Sequence, residues 1–195
     1  MKKLIILILL LSANLAHSNS IDNPAKGKNK HYIGEFFGGG IIFYIYTNEK
    51  GEQHGLIASL NNLSIKQRWG FYLTHIPNCN SMWNGEANTK AVIEFDDKTE
   101  SAAKLCYDYK YKEYEDWYLP SIDEIKLLFD NRYVINKALE LDEDPETELI
   151  QQKYYWSSSQ MDASHAWFYD MGTGISGDGS KKNLSKTHVR AIRYF

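Results

Sequence analysis

The sequence predicts an α+β fold in which helices pack beside short antiparallel strands. Three observations predict it: aromatic and β-branched strand patterns open the folded part, helical periodicity occupies the middle of the chain, and strand patterns return at the end. Strands followed by helices and then strands again are typical of an α+β domain, whereas strands alternating with helices would indicate a parallel sheet. No internal repeat is visible.

Residues 1–18 form a predicted signal peptide. Lys2 and Lys3 make a basic start, residues 4–11 are apolar, and Ala16 and Ser18 place small side chains where a signal peptidase cleaves. The apolar run is shorter than the roughly 20 residues that a membrane-spanning helix needs. Cleavage is therefore expected near Ser18, and the mature protein is expected to be secreted or periplasmic.

The mature chain is expected to carry one domain. Residues 19–31 are polar and predict a flexible arm, and residues 32–195 have the length of a single core. No later segment is long and apolar enough to span a membrane after the signal is cleaved. The sequence does not indicate an oligomeric state.

Three strands are predicted at the start of this domain. Residues 32–47 are aromatic and β-branched, and the three glycines at 38–40 predict a sharp bend between two strands. A third short strand is predicted over residues 54–59. Residues 61–88 are then irregular and form a long loop, which is a kind of segment that often carries function.

Two helical regions follow this loop. Residues 89–95 and 99–109 show helical spacing on either side of an interruption. A second helix is predicted to begin at Ser121, because Ser121 and Glu124 have the spacing of a capping box. Apolar residues then recur along one helical face, namely Ile125, Leu128, Phe129 and Tyr133.

The end of the chain predicts strands over residues 154–158, 166–171 and 188–195. The acidic stretch at 141–149 is expected to be a solvated loop, since its spacing matches no EF-hand calcium loop. A glycine-rich loop is predicted over 172–179. No helix pattern follows that loop, so it does not predict a phosphate site.

The charge balance narrows the classes of partner. The whole chain has a net charge of −3, and with Lys2 and Lys3 removed 20 basic and 25 acidic side chains remain, a net charge of −5. A nucleic-acid-binding domain needs a basic surface, so no nucleic acid is expected as a partner. The overall charge does not favour electrostatic binding to a membrane either.

Aromatic residues are unusually frequent, with 14 Tyr, 5 Trp and 8 Phe. They could fill the core of an aromatic sheet or form a recognition face, because Tyr and Trp combine apolar area with a hydrogen-bonding group. Trp69, Trp83 and Trp167 are the candidates for a face that stacks on a ligand, with Asn84 beside them. Trp117 and Trp156 are expected in the core.

Two cysteines remain in the mature chain, Cys79 and Cys106. Export permits a disulfide between them, but two cysteines are too few for a zinc site. Cys106 lies on a helical face beside small and apolar residues, which also suits a buried thiol. One disulfide or two buried free thiols are both compatible with the sequence.

Five segments in the same order resemble the domain at the C-terminus of bacterial collagen-like surface adhesins, the Lcl C-terminal type. The segments are YIGEFFGGGIIFYI from Tyr32, AAKLCYDY from Ala102, DWYLPSIDEI from Asp116, YWSSSQ from Tyr155 and VRAIRYF from Val189. The resemblance covers residues 32–195 and implies an exported module. The adhesins trimerise through a collagen-like stalk, and this chain has no Gly-x-y repeat from which a trimer could be expected.

The segment from Asp116 also resembles the turn and helix of the formylglycine-generating enzymes, whose fold is related to that of C-type lectins. This distant resemblance implies two helices flanking short antiparallel strands, with long loops. The reactive cysteine pair of those enzymes is missing. The triplet Trp83-Asn84-Gly85 also lacks the final acid of the Trp-Asn-Asp triplet in calcium-dependent lectins. The resemblance therefore implies neither activity.

No complete catalytic or metal-binding pattern is present. Residues 157–159 are all serine and His165 and His188 follow, but no strand–turn–helix elbow surrounds the serines. The histidines lack the spacing of a metal site. We therefore expect a non-enzymatic, adhesin-like module without a cofactor that binds a glycan or an envelope or surface protein. A structural protein of the cell envelope is the first alternative, and a hydrolase using Ser157–Ser159 is the second.

Overall fold

The structure of the protein, a computed structural model, describes residues 30–182 and 187–195. The predicted signal peptide, and the predicted arm up to residue 29, lie outside the described residues. His31–Phe195 belong to one unit, and its helices are α1 Gly85–Phe95, α2 Ala102–Tyr107, α3 Ile122–Asp130 and α4 Arg132–Leu141. Its strands are β1 Phe36–Phe37, β2 Gly40–Thr47, β3 Gln53–Ala58, β4 Tyr154–Gln160, β5 His165–Asp170, β6 Ile175–Ser180 and β7 Ile192–Tyr194.

The strands form two antiparallel sheets, and the predicted α+β class is confirmed. The first sheet has the order β1-β2-β3-β7, so the last strand of the chain pairs with the third. The second sheet has the order β4-β5-β6. The expectation of two helices is wrong, because the described residues contain four.

Two hydrophobic clusters cover the two faces of the first sheet. Ile41 and Phe43 belong to the cluster that contains side chains of α3 and α4. Ile42, the residue between them, belongs to the cluster that contains side chains of α1 and α2. Successive side chains of a strand point to opposite faces, so this strand is buried on both sides. Side chains of α3 and α4 thus belong to the cluster on one face of the sheet, and side chains of α1 and α2 belong to the cluster on the other.

The capping box at the start of α3 is confirmed. Ser121 accepts a hydrogen bond from the backbone N–H of Glu124, and the Glu124 carboxylate accepts one from the backbone N–H of Ser121. Asn131 is both the C-cap of α3 and the N-cap of α4. Tyr133, which the apolar stripe assigns to the buried face of α3, instead lies on α4 and is 76% exposed.

Two further predictions concern glycines. The bend at 38–40 is confirmed: Gly38 and Gly39 have φ angles of 58° and 80°, and a Cβ on Gly40 would lie 2.1 Å from the carbonyl oxygen of Ala58. The predicted loop at 172–179 is wrong in its second half, because Ile175–Ser180 form β6 and pair with β5.

Within 30–182 and 187–195, no helix has the length and apolar character needed to cross a bilayer.

Candidate functional site: an aromatic groove

A row of large side chains crosses the first sheet. Tyr44 of β2 is paired with Leu56 of β3, and Leu56 is paired with Tyr194 of β7. Tyr46 lies two residues after Tyr44 on the same strand, and therefore on the same face. Tyr46 is 45% exposed and Tyr194 is 38% exposed. The sheet thus presents three tyrosines in part to solvent.

The opposite wall comes from the segment before α1 and from α3. The backbone N–H of Asp123 donates to the carbonyl oxygen of Met82 at 2.9 Å, which fixes this segment against the start of α3. Trp83 follows and is 71% exposed. Together the two walls enclose a groove of about 350 Å³, which we call the aromatic groove; it is lined by Tyr44, Tyr46, Leu56, Trp83, Glu124, Leu127 and Tyr194.

Glu124 lies at the floor of the aromatic groove and is 4% exposed. Its Oε2 atom accepts hydrogen bonds from the backbone N–H groups of Ser121 at 2.7 Å and Gly85 at 3.1 Å. Its Oε1 atom accepts from the hydroxyl groups of Tyr118 and Tyr194, each at 3.1 Å. Four donors therefore hold this carboxylate, which joins α1, α3 and β7.

Burial dominates the electrostatics of this carboxylate. Desolvation raises the pKa of Glu124 above its usual value, although the hydrogen bonds from Ser121, Tyr118 and Tyr194 oppose the shift. Desolvation also raises the pKa of the Tyr194 hydroxyl. These groups form a fixed polar floor beneath the aromatic walls.

Gly85 allows the start of α1 to approach Glu124. A Cβ at this position would lie 2.5 Å from Glu124 Oε2 and 2.5 Å from the backbone nitrogen of Ser121. Real Cβ atoms do not tolerate such distances, so a side chain would push the two helix starts apart. The short segment Trp83-Asn84-Gly85 is therefore fixed by packing at its last residue and exposed at its first.

The four predicted ligand-binding residues do not lie together. Trp69 is 2% exposed, and its indole N–H donates to the carbonyl oxygen of Ser157 at 2.8 Å. The Lys181 ammonium lies 4.6 Å from the centre of the Trp69 ring. The prediction is wrong for Trp69, because a side chain buried in the core offers no face to a ligand.

Asn84 and Trp167 also have structural contacts. The Asn84 side chain caps α1 by accepting a hydrogen bond from the backbone N–H of Ala87. Trp167 lies on β5, is half-buried and packs against the cluster that contains α3 and α4. Of the predicted residues, Trp83 alone lines the aromatic groove.

Both cysteines are buried free thiols, so the second of the two alternatives is the one found. Burial raises the pKa of the Cys79 thiol to about 12 and that of Cys106 well above its usual value. Thiols in this state are poor nucleophiles. The two cysteines are therefore core residues.

The serine cluster of β4 is also buried. Ser157, Ser158 and Ser159 are each 0% exposed. The Ser157 hydroxyl donates to the carbonyl oxygen of Trp167, the Ser159 hydroxyl donates to that of Ser81, and Ser158 Oγ accepts from the Asn88 side chain. A substrate could not reach these hydroxyl groups in this conformation, which weakens the hydrolase alternative.

The acidic stretch after α4 is a loop, as predicted. Asp142 and Asp144 accept hydrogen bonds from backbone N–H groups two residues further on. Across residues 30–182 and 187–195, no group of three His, Cys, Asp or Glu side chains is placed to hold a metal ion. Asp142 and Asp144 therefore stabilise turns of the loop, while the Glu148 carboxylate accepts hydrogen bonds from Asn62.

Sequence reasoning missed the residues of the sheet wall. Tyr44 and Tyr46 alternate along one strand, and this spacing could have placed both on one face. Nothing in the sequence indicates that Leu56 and Tyr194 stand beside them, because β7 pairs with β3 across more than 130 residues. Glu124 was predicted only as a helix cap.

The fold and the groove define a class: an α+β domain that presents an aromatic groove on its surface. Comparison with known families assigns the chain to one of them. A sequence profile of the Lcl C-terminal domain matches residues 77–193, and the chain belongs to this family. The matched range includes Trp83, Glu124 and Leu127, while the tyrosines of the groove lie outside it.

One solved structure that the chain matches is a fimbrial protein from Bacteroides ovatus ATCC 8483. Its TM-score is 0.48 and its sequence identity is 15%, over 80% of this chain. This chain covers 43% of that protein's length. No curated protein matches the sequence.

Proposed function

We propose that the protein is an exported, non-enzymatic binding module whose aromatic groove takes a neutral glycan. One observation carries the proposal: the exposed Trp83 faces a row of tyrosines across a groove with a hydrogen-bonding floor. A volume of about 350 Å³ falls within the range of small-ligand sites. The apolar face of a sugar ring packs against an aromatic ring, whose face is electronegative.

The charge of the groove favours a neutral ligand. Its lining contains no Lys or Arg side chain among the described residues, and its one charged group is Glu124. A sulfated glycan would need cationic side chains to offset its charge. A neutral sugar instead offers hydroxyl groups, which can bond to the tyrosine hydroxyls at the rim.

The contacts of Glu124 support a binding role over a catalytic one. A glycosidase needs two carboxylates flanking the scissile bond, and Glu124 is the one carboxylate among the described lining residues. Four donors already occupy its oxygens. It is therefore placed to support the groove and not to transfer a proton.

The resemblance to C-terminal domains of collagen-like adhesins and the predicted signal peptide support a location at the cell surface or in the envelope. We propose the same distant relation to the C-type-lectin-like fold that the segment from Asp116 implies. The capping box of Ser121 and Glu124, which begins a helix directly after Pro120, supports it. A glycan or an envelope protein would be the partner in that location.

The test is a neutral-glycan array followed by titration calorimetry of any glycan that binds. Replacing Trp83 by Ala should weaken binding at least ten-fold, about 1.4 kcal/mol, because the stacking surface is lost. Tyr133→Ala is the matched control, since Tyr133 is 76% exposed and does not line the groove. Equal loss in both variants, or no loss in either, would refute the assignment.

A blank array would point to the structural alternative. In that case the purified protein should form a discrete oligomer, which a size measurement detects, or it should crosslink to an envelope protein. Binding that is confined to sulfated glycans would contradict the neutral-ligand proposal while leaving a binding function in place.

A further inference from the structure

A second cavity adjoins the aromatic groove and has no role in the proposal above. It has a volume of about 230 Å³ and lies between α1, the end of α2 and the segment before α3. Glu86, Thr89, Tyr107, Glu115 and Tyr118 are among its lining residues. We call this cavity the adjoining pocket.

A pair of tyrosine rings separates the two cavities. Tyr194 lines the aromatic groove and Tyr118 lines the adjoining pocket. Their ring centres are 5.4 Å apart, and both hydroxyl groups donate to Glu124 Oε1 at 3.1 Å. The wall between the cavities is therefore the thickness of two side chains, and one carboxylate fixes both of them.

Helix α1 also spans both cavities. Trp83 lies two residues before α1 and lines the aromatic groove, while Glu86 and Thr89 of the helix line the adjoining pocket. The start of α1 and the segment that leads into it thus contribute side chains to both cavities. A ligand that extended along the start of α1 would contact both cavities without any movement of the fold.

The adjoining pocket combines an aromatic face with more charged groups than the aromatic groove has. Tyr107 is 47% exposed and offers the aromatic face. The charged side chains of its lining are Glu86 and Lys90, which pair at 2.6 Å, together with Glu115 and Asp116. An aromatic face beside polar groups suits a sugar ring and its hydroxyls.

We propose that the adjoining pocket is a second subsite for the same ligand, so that the protein binds an oligosaccharide and not a single sugar. This inference rests on the proposed function. The terminal sugar stacks on Trp83, and the next part of the glycan passes over the exposed part of Tyr194 to reach Tyr107. Binding then improves with the length of the glycan until both cavities are filled.

The experiment uses ladders of malto-, cello- and chito-oligosaccharides from one to five units, titrated against the mature chain. If the adjoining pocket is a second subsite, longer glycans bind more tightly because they fill both cavities. In at least one ladder, the dissociation constant of the longer glycans should then be lower than that of the shortest bound glycan by a factor on the order of ten. Tyr107→Ala should remove this gain and leave binding of the shortest glycan unchanged. Trp83→Ala should weaken binding at every length.

Tyr133→Ala is again the control, and thermal unfolding of each variant shows whether the fold is retained. Affinity that does not depend on length, or a length-dependent gain that survives in Tyr107→Ala, would overturn the second subsite while the first stands. If no member of any ladder binds, the neutral-glycan proposal fails and the subsite fails with it.

Discussion

The loop before α1 carries two tryptophans that differ in exposure. At one end Trp69 is 2% exposed, with its indole N–H bonded to a backbone carbonyl on β4. At the other end Trp83 is 71% exposed and stands over a groove. Both residues belong to the same irregular, aromatic segment. One tryptophan of this loop is therefore a core residue and the other a surface residue. The elements packed against each of them determine the difference.

The loop is anchored along most of its length. Ile76 and Cys79 are each 0% exposed, and Gln160 of β4 accepts a hydrogen bond from the backbone N–H of Ile76 at 2.9 Å. The final residues, in contrast, are held by the start of α3. Trp69, Ile76 and Cys79 of this loop therefore belong to the core, whereas Trp83 at its end lines the groove.

The largest effect is expected at the buried end. Trp69→Ala should lower the free energy of unfolding by about 3–5 kcal/mol, because it opens a cavity and leaves the Ser157 carbonyl without its donor. Chemical denaturation with Trp83→Ala as the matched variant measures the difference. Equal destabilisation by the two substitutions would remove the contrast between the two ends.

A smaller effect is expected where the exposed end joins α1. Gly85→Ala should destabilise the fold by about 1–3 kcal/mol, since its Cβ would overlap Glu124 Oε2 and the backbone of Ser121. Ala91→Gly, at a half-buried position of the same helix, measures the contribution of helix propensity, about 1 kcal/mol, which in Gly85→Ala opposes the destabilisation by overlap. A Gly85→Ala variant as stable as the natural protein would show that Glu124 does not approach α1 this closely.

The pH dependence of stability tests the floor of the groove. Burial raises the pKa of Glu124 in the folded state, so the folded protein keeps a proton that the unfolded chain has already released. The protonated Glu124 side chain therefore stabilises the fold fully at a pH below the pKa of this side chain in the unfolded chain. This stabilisation is lost as the pH rises through its pKa in the folded protein. Glutamine does not titrate and lacks this dependence.

The stability of the natural protein minus that of Glu124→Gln should accordingly be greatest near pH 4 and should decrease toward neutral pH. Denaturation at a series of pH values measures this difference, with Glu140→Gln on the exposed face of α4 as the control. A difference that increases toward neutral pH would mean that the hydrogen bonds to the ionised carboxylate outweigh its desolvation.

The smallest effect on stability is expected at Trp83 itself. Trp83→Ala should change the free energy of unfolding by no more than about 0.5 kcal/mol, because an exposed side chain gives up little packing. Thermal unfolding measures this change. A loss of several kcal/mol would place Trp83 in the core of the protein and remove it from the binding surface.

The sequence predicts the local features of the fold well. The capping box at Ser121 and the glycine bend at 38–40 depend on residues close together in the chain, and both are confirmed. Helix α4 was missed because Tyr133 continues the apolar spacing of α3, although the chain breaks at Asn131. Strand β6 was missed because its glycines are typical of a turn, and its pairing with β5 decides its structure instead.

The site was predictable only in part. Trp83 and Trp69 lie in the same irregular segment, but Trp83 is exposed and Trp69 is buried. The role of Trp83 in binding stays a prediction. The partners of Trp83 come from β2, β3 and β7, whose register depends on contacts between distant parts of the chain. No local pattern could place Tyr44 and Tyr194 in one row.

Acrylamide quenching of tryptophan fluorescence, with and without a bound neutral glycan, measures whether Trp83 contacts the ligand. Trp69, Trp117 and Trp156 are each 2% exposed or less, so the quencher should act mainly on Trp83, with a smaller part from the half-buried Trp167. A saturating glycan should protect Trp83 from the quencher and so reduce the fraction of fluorescence that acrylamide quenches. The Trp83→Ala variant should lack this protected fraction. A glycan that binds with measurable heat and leaves the quenching unchanged would contradict the assignment of Trp83 as a stacking residue.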